Sequence, residues 1–104
     1  MKLWIDDIRT APEGYLWCKS TREALRKIVL EYPNEIELID LDHDAGDYAK
    51  DGGDFIGVLK ELERLSRRHK MDFSQVKFRL HSANPVGVQN MRAIIEANGW
   101  REIR

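Results

Sequence analysis

The feature that most limits how this chain can fold is an apolar run, Glu37–Gly46, that ends in acidic residues. Its leucines and isoleucines have the pattern of a buried strand. The polar residues within it are Asp40, Asp42, His43 and Asp44. Strand alternation places Asp40 and Asp42 on one face and His43 on the other. Because buried carboxylates need a cation, a donor or solvent, the run predicts either a charged site or an acidic strand end that frays into a solvated loop.

The length and the net charge of the chain limit the classes of function that it can have. A chain of 104 residues forms one domain with one core. Its formal net charge of −1 argues against a protein that binds nucleic acid through bulk positive charge. Residues 1–54 nevertheless carry 13 acidic and 7 basic side chains, whereas residues 55–104 carry 5 acidic and 10 basic ones. We therefore expect an acidic centre that faces a more basic surround.

Cysteine content and hydropathy bear on the compartment. The single cysteine, Cys18, excludes a disulfide within the chain and is typical of a reducing environment. No apolar run approaches the roughly 20 residues of a membrane span, and the N-terminus lacks the apolar core of a signal peptide. We therefore expect a cytoplasmic protein without a membrane partner.

Segments with strand and helix patterns alternate along the chain. The predicted strands are Met1–Ile5, Tyr15–Cys18, Glu37–Asp42, Val76–Leu80 and Trp100–Ile103. The predicted helices are Thr21–Tyr32, Asp54–His69 and Val86–Asn98, and Asp47–Gly53 is predicted to be a loop. Ser20 and Glu23 have capping-box spacing, and Pro33 ends the first helix. The alternation predicts an α/β domain with a mostly parallel five-stranded sheet.

The first two predicted strands lie unusually close together in the sequence. Only the eight residues Asp7–Gly14 separate them, whereas a parallel crossover needs about a dozen. Either the second strand pairs in another manner, or a bare loop leaves one flank of the sheet uncovered. In the second case we expect Trp4, Tyr15 or Trp17 to fill that flank.

Polar side chains follow three of the predicted strands where each strand ends. Asp6 and Asp7 follow the first strand, Asp40–Asp44 ends the central one, and His81–Asn84 follows the fourth. Because ligands of parallel sheets bind beyond the carboxyl ends of the strands, we expect these groups to meet in one cavity.

The acidic groups predict a metal site. Asp6, Asp7 and Asp42 are the predicted ligands, and Asp44 supports them. Oxygen ligands suit Mg²⁺, or Mn²⁺ in its place, and a Mg²⁺ held in this way usually faces a phosphate. The expected partner is therefore a small phosphate-containing ligand, such as a nucleotide or an RNA end.

This arrangement resembles the receiver domain of bacterial response regulators, in which an acidic pair, a phosphoacceptor aspartate, a hydroxyl residue and a lysine follow successive strands. Asp6 and Asp7 match the acidic pair, and Asp42 matches the acceptor. Ser82 matches the hydroxyl residue, and Asp40, one strand repeat earlier, is the alternative match for the acceptor. The resemblance implies a receiver-like, flavodoxin-like three-layer sandwich in which the first helix is reduced or missing.

Three motifs resemble more closely the small family of cyclic-phosphate processing receiver domains. They are Ile5–Arg9 with Ala11–Pro12, Leu41–Asp44 with Gly46, and His81–Gly87. The resemblance covers essentially the whole chain. It implies a pocket that hydrolyses or senses cyclic phosphates, with the histidines as added catalytic groups.

The chain departs from ordinary receivers in its cations. No lysine follows Lys77, so the lysine that completes phosphotransfer signalling has no counterpart, and Arg101 is the nearby cation on the last strand. His43 and His81, which ordinary receivers do not require, are instead available as acids or bases for phosphoryl chemistry.

The leading hypothesis is a Mg²⁺-dependent phosphoesterase that acts on a cyclic phosphate, such as a 2′,3′-cyclic end or a cyclised nucleotide or sugar phosphate. The predicted catalytic residues are Asp42, His43 and His81, and the predicted phosphate-binding residues are Arg9, Ser82 and Asn84. Asp42 is also a candidate nucleophile for a covalent aspartyl phosphate.

Two other classes of function stay open from the sequence. A degenerate receiver would bind a phosphate ligand or a protein partner without turnover. A phosphoacceptor receiver would carry the phosphoryl group on Asp42, although the absent lysine argues against it.

Overall fold

The computed structural model of the chain describes residues 1–32 and 36–104. The strands are Lys2–Ile5 (β1), Tyr15–Cys18 (β2), Leu38–Leu41 (β3), Lys77–Leu80 (β4) and Arg101–Glu102 (β5). The helices are Thr21–Glu31 (α1), Ile56–His69 (α2) and Pro85–Ala97 (α3). The strands form one sheet in the order β2-β1-β3-β4-β5, and all neighbours are parallel. Because this is the flavodoxin-like order, the predicted α/β receiver-like fold with five parallel strands is confirmed.

The element boundaries differ slightly from the predicted ones. Helix α1 ends one residue earlier than predicted, and the predicted stop at Pro33 lies outside the described residues. The predicted loop Asp47–Gly53 is partly a short 3₁₀ helix, Gly46–Lys50. Its tight turn begins where the amide of Tyr48 donates to the carbonyl of Ala45 at 2.9 Å. A single turn of this kind has no apolar periodicity by which a sequence could reveal it.

The three helices lie side by side on one face of the sheet. The connections that contain α1, α2 and α3 all cross the sheet in the same direction, and right-handed crossovers therefore place the helices on the same side. Accordingly α1 packs against α2, and α2 packs against α3. The described residues thus form two layers of secondary structure, one fewer than the three-layer sandwich that the resemblance implied.

The apolar core lies between the sheet and this helix layer. Alternate strand residues and the inner stripes of the helices supply it: Leu3, Ile5, Ile39, Leu41, Phe78, Ile28, Leu59, Leu62, Met91 and Ile95 are fully buried. Helix α1 begins at a cap in which the Ser20 hydroxyl oxygen accepts from the amide of Glu23 at 3.1 Å, as the capping-box spacing predicts. The core fixes where β1, β3 and β4 end, and so positions the polar residues that follow them.

A bare loop, residues 6–14, connects β1 to β2, which pair in parallel. Two indole N–H groups anchor it: Trp4 Nε1 donates to the carbonyl of Arg9 at 2.9 Å, and Trp17 Nε1 donates to that of Asp6 at 2.6 Å. Trp4 also packs edge-on against Tyr15, with the ring centroids 5.9 Å apart. The predicted aromatic filling of this flank is therefore present, and the first helix is missing.

Two further observations concern the cysteine and the helices. The thiol of Cys18 is buried, and this burial raises its pKa to about 12, so the group is inert at neutral pH. Among the residues that the structure describes, no helix has the length and apolar character needed to cross a membrane.

Candidate functional site

The polar ends of β1 and β3 meet in one pocket. Its volume is about 300 Å³, and it is lined by Asp6, Asp7, Ile8, Arg9, Asp42, Asp44 and Gly46. The two strands are parallel neighbours with Ile5 opposite Leu41, so the residues after them emerge side by side. One carboxylate oxygen from each of Asp6, Asp7 and Asp42 lies within 4.8 Å of the other two.

A larger groove, about 590 Å³, lies between α1 and α2. Its lining is mainly apolar and includes a single carboxylate, that of Glu61. Because several carboxylates converge in the smaller of the two and only one lines the larger, the pocket at the strand ends is the candidate for chemistry.

Asp6 is held by four hydrogen bonds. Its Oδ1 accepts from the amides of Ile8 and Arg9 at 2.9 and 3.0 Å. Its Oδ2 accepts from Arg9 Nη1 at 3.1 Å and lies 2.9 Å from His81 Nε2. Burial acts to raise the pKa of Asp6, but the hydrogen bonds together outweigh it, so the pKa lies below its usual range. Asp6 therefore remains a carboxylate although it is fully buried.

Arg9 bridges two of the carboxylates that face the pocket. Its Nη1 lies 3.1 Å from Asp6 Oδ2 and 3.1 Å from Asp42 Oδ2. The hydrogen bond to Asp6 is the main reason why the pKa of Arg9 is raised. Half of the Arg9 side chain is still exposed to solvent. A built-in cation thus neutralises these carboxylates and remains accessible from the pocket.

Asp7 has a less favourable environment. Burial raises its pKa, and the charges of Asp6 and Asp42 raise it further. The side chain lies against Gly46, where an added Cβ would collide with Asp7 Oδ2 and where φ is +55°. Gly46 therefore provides both the left-handed turn and the space that Asp7 occupies.

The donor set of this pocket fits a hard divalent cation. Asp6, Asp7 and Asp42 offer three clustered carboxylate oxygens, the ligand type that Mg²⁺ prefers. A cation among them would also relieve the repulsion that acts on Asp7. These residues are the ones that could hold the expected metal, and Asp44 lines the same pocket.

His81 joins two buried carboxylates. Its Nδ1 lies 2.6 Å from Asp40 Oδ1, and its Nε2 lies 2.9 Å from Asp6 Oδ2. Both nitrogens thus face a carboxylate oxygen, and the ring stacks on Trp4 with the centroids 3.9 Å apart and the planes at 3°. Because both nitrogens are occupied, His81 is better placed to hold Asp6 than to exchange protons with a ligand.

Asp40 is a functional neighbour that sequence reasoning did not identify as a partner of His81. It is fully buried and also accepts from Arg79 Nη1 at 3.1 Å. The strand register holds the signal for this contact, because it aligns Trp4, Asp40 and Arg79 across β1, β3 and β4. Since Asp40 does not line the pocket, Asp42 is the better match for the acceptor position.

His43 lies in the turn after β3, where strand alternation no longer applies. Its Nδ1 lies 2.7 Å from Asp44 Oδ1, and this hydrogen bond lowers the pKa of Asp44. The ring packs against Gly87, where an added Cβ would come within 2.5 Å of it. Asp54, which was not predicted as a site residue, has a carboxylate oxygen within 4.8 Å of ligand atoms of both His43 and Asp44. His43 itself does not line the pocket, but Asp44, which it contacts, does.

Ser82 and Asn84 lie outside the residues that line the pocket. The hydroxyl oxygen of Ser82 accepts from the amide of Asn84 at 3.1 Å. Asn84 Oδ1 caps α3 by accepting from the amide of Gly87 at 3.0 Å, and its Nδ2 donates to Asp44 Oδ1 at 3.4 Å. These contacts give both residues a local structural role, and their phosphate-binding role stays a prediction.

Removal of His81 should destabilise the fold strongly. His81→Ala would leave Asp6 and Asp40 buried without the imidazole that contacts both, so we expect the free energy of unfolding to fall by about 3–5 kcal/mol in urea titrations. His69→Ala, at the exposed end of α2, is the matched control and should change it by less than about 0.5 kcal/mol. Small effects in both variants would contradict the bridging role of His81.

Neutralisation of Asp7 should stabilise the metal-free protein. Because the pKa of Asp7 is raised in the folded state, its ionised form opposes folding at neutral pH. Asp7→Asn should therefore raise the melting temperature at pH 7 by a few degrees, roughly 0.5–1 kcal/mol, and the gain should shrink as the pH falls towards 4. Added MgCl₂ should stabilise the wild type more than this variant.

The exposed Asp47 supplies the control for this experiment. Asp47→Asn removes the same charge outside the pocket and should leave both the melting temperature and the response to MgCl₂ nearly unchanged. A lower melting temperature for Asp7→Asn would show that Asp7 stabilises the fold instead of being strained within it.

Comparison with known proteins agrees with this geometry. The family model described as cyclic-phosphate processing receiver domain matches residues 1–97 of the chain. A search of curated proteins and a search of solved structures found no match. The matched segment includes every residue of the pocket and the neighbouring His43 and His81. The chain therefore belongs to the cyclic-phosphate processing receiver domain family.

Proposed function

We propose that this protein is a metal-dependent phosphoesterase that opens a cyclic phosphate. The observation that carries the proposal is the convergence of Asp6, Asp7 and Asp42 in a pocket that also holds an accessible guanidinium. The imidazole of His43 contacts Asp44, one of the residues that line the same pocket. A cation site, an anion-binding group and a proton donor are the parts that phosphoryl chemistry needs.

The proposed reaction adds one water to a cyclic diester. The water oxygen forms a bond to phosphorus, and the bond from phosphorus to one ring oxygen breaks. That oxygen takes up a proton, the attacking water loses one, and the product is a monoester. No oxidant or second substrate is required.

The pocket residues have distinct proposed roles. A bound Mg²⁺ would supply the positive charge that polarises a phosphoryl oxygen. Asp6, Asp7 and Asp42 would hold it, and Arg9 would contact another phosphoryl oxygen through its exposed N–H groups. The volume of about 300 Å³ lies at the lower end of the range for ligand pockets, which suits a small phosphate group.

His43 is the proposed proton donor to the leaving oxygen. Asp44 binds Nδ1 at 2.7 Å and so fixes the ring, which leaves Nε2 for the substrate. The orienting carboxylate would also stabilise the protonated ring. His81 has both nitrogens engaged and would act indirectly, by holding Asp6 in place.

The direct test is hydrolysis of a 2′,3′-cyclic nucleotide in MgCl₂, followed by chromatography of the monoester. We expect turnover by the wild type, loss of about 10²–10⁴-fold in kcat for His43→Gln, and a loss at least as large for Asp42→Asn. His69→Gln replaces an exposed histidine and should keep the wild-type rate.

The outcomes separate the classes of function. Equal rates in all four proteins, or no monoester from the wild type, would rule out the proposed hydrolysis. Calorimetric binding of the cyclic nucleotide without any product would instead identify a binding module. His81→Ala is a poor choice for this experiment, because loss of folding would mimic loss of catalysis.

Arg9 should compete with the metal for the same carboxylates. Its guanidinium binds both Asp6 and Asp42, so Arg9→Gln should tighten Mg²⁺ binding by about tenfold, or 1.4 kcal/mol, in a calorimetric titration. Turnover should nevertheless fall, because the variant lacks the contact to phosphate. Arg22→Gln, which removes an exposed arginine on α1, should change neither quantity. Weaker Mg²⁺ binding by Arg9→Gln would refute the competition.

A further inference from the structure

The face of the sheet opposite the helices carries a cluster of cations. Lys77 and Arg79 on β4 and Arg101 on β5 are exposed there, and Lys77 lies directly opposite Arg101 in the register. Lys2 on β1 belongs to the same row, since it pairs with Leu38, which in turn pairs with Lys77. We name Lys2, Lys77, Arg79 and Arg101 the cationic face.

Little negative charge compensates this face. Asp40 is the one carboxylate among the strand residues of this face, and Arg79 and His81 already contact it. In the parts of the chain that the structure describes, neither Lys77 nor Arg101 forms an ion pair. The other strand carboxylate of this edge, Glu102, binds Arg92 of α3 on the helix side. The face is therefore locally positive although the chain has a net charge of −1.

Aromatic rings extend the same face towards β2. Tyr15 and Trp17 are half-buried there and lie in register with Lys2 and Trp4 of β1. The amine of Lys2 stands 5.6 Å from the ring centroid of Tyr15, and that of Lys19 stands 4.4 Å from a ring centroid of Trp17. Cations interleaved with aromatic rings on a sheet are the combination that binds single-stranded nucleic acids, through phosphates and base stacking.

We propose that this face binds single-stranded RNA and guides its 3′ end into the carboxylate pocket. This inference rests on the proposed function, and it extends the substrate from a free cyclic nucleotide to a cyclic phosphate at the end of an RNA. RNA is the polymer concerned because a 2′,3′-cyclic phosphate requires the 2′-hydroxyl. Charge complementarity between the phosphate backbone and the cationic face favours RNA as the ligand.

A chain of partly buried contacts links the face to the pocket: Arg79 contacts Asp40, Asp40 contacts His81, and His81 contacts Asp6, which lines the pocket. A strand of RNA that lies on β4 and β1 would reach the pocket from the side of the loop after β1. Its terminal phosphate would meet Arg9, whose guanidinium is half-exposed there.

Few phosphate contacts imply weak and salt-sensitive binding. Each contact to a single strand contributes about −0.7 to the slope of log K against log salt concentration. Lys2, Lys77 and Arg101, the three cations of the face that form no ion pair among the described residues, thus predict a slope of about −2 and a dissociation constant on the order of 10⁻⁵ M at low salt. Such affinity agrees with a protein that lacks bulk positive charge.

The test measures binding of a fluorescein-labelled oligouridine with a 3′-hydroxyl, by anisotropy in EDTA, where turnover plays no part. The double variant Lys77→Glu/Arg101→Glu should bind at least tenfold more weakly and show a shallower salt slope. The control Lys60→Glu/Arg68→Glu makes the same charge change on exposed residues of α2 and should bind as the wild type does. Lys77→Gln/Arg101→Gln, a milder pair, should show an intermediate loss if the reversal disturbs folding.

Three results would overturn the inference: no RNA binding by the wild type, equal losses in both glutamate variants, or equally strong displacement by oligoglutamate, which would indicate an acidic protein partner. Hydrolysis of a cyclic mononucleotide is measured separately in MgCl₂. Turnover without RNA binding would remove this inference and leave the proposed function intact. RNA binding without turnover would support the cationic face as an RNA-binding surface and would rule out the proposed hydrolysis.

Discussion

The structure depends on basic side chains that hydrogen-bond buried carboxylates. Asp6 and Asp40 are fully buried and Asp42 is 8% exposed, and each would cost several kcal/mol of folding free energy without a partner. Arg9 contacts Asp6 and Asp42, His81 contacts Asp6 and Asp40, and Arg79 also contacts Asp40. Three basic side chains thus share three carboxylates. The candidate site and the stability of the fold therefore rest on the same set of hydrogen bonds.

The missing first helix explains how Arg9 reaches these carboxylates. Without a crossover helix, residues 6–14 can turn back over the end of β1, where the indole groups of Trp4 and Trp17 anchor them. This path brings Arg9 over Asp6 and Asp42. The loop thus supplies a guanidinium to the carboxylates of the site.

Local sequence patterns were sufficient to predict that carboxylates converge. Apolar runs that stop at Asp7 and at Asp42 locate two strand ends, and the rule for parallel sheets brings such ends to one edge. The same patterns were not sufficient to pair His81 with Asp40 or Asp6, because that contact needs the register of β1, β3 and β4.

The sequence pattern of a single helix or strand also does not reveal how many layers the fold has. Each helix has an inner apolar stripe, but the face of the sheet that it covers follows from the direction of its connection. With three connections in one direction, a whole face remains for polar and aromatic residues. There β4 and β5 carry Lys77, Arg79 and Arg101, and this accounts for part of the positive charge that the second half of the chain showed. The charge asymmetry of the sequence was thus a real signal, although its position on the sheet required the fold.

The hydroxyl and amide groups of this site already have partners in the structure. The Ser82 hydroxyl oxygen accepts from the amide of Asn84, Asn84 caps α3, and Arg9 contacts Asp42 in the acidic pocket. A phosphorylation switch needs groups that change partners when a phosphoryl group arrives. Under the proposed function, groups that are held in place before a ligand arrives would favour repeated binding of a phosphate over a single signalling event. In that case Arg9, more than the aspartates that the chain shares with other receivers, would set the preference of the pocket for cyclic phosphates.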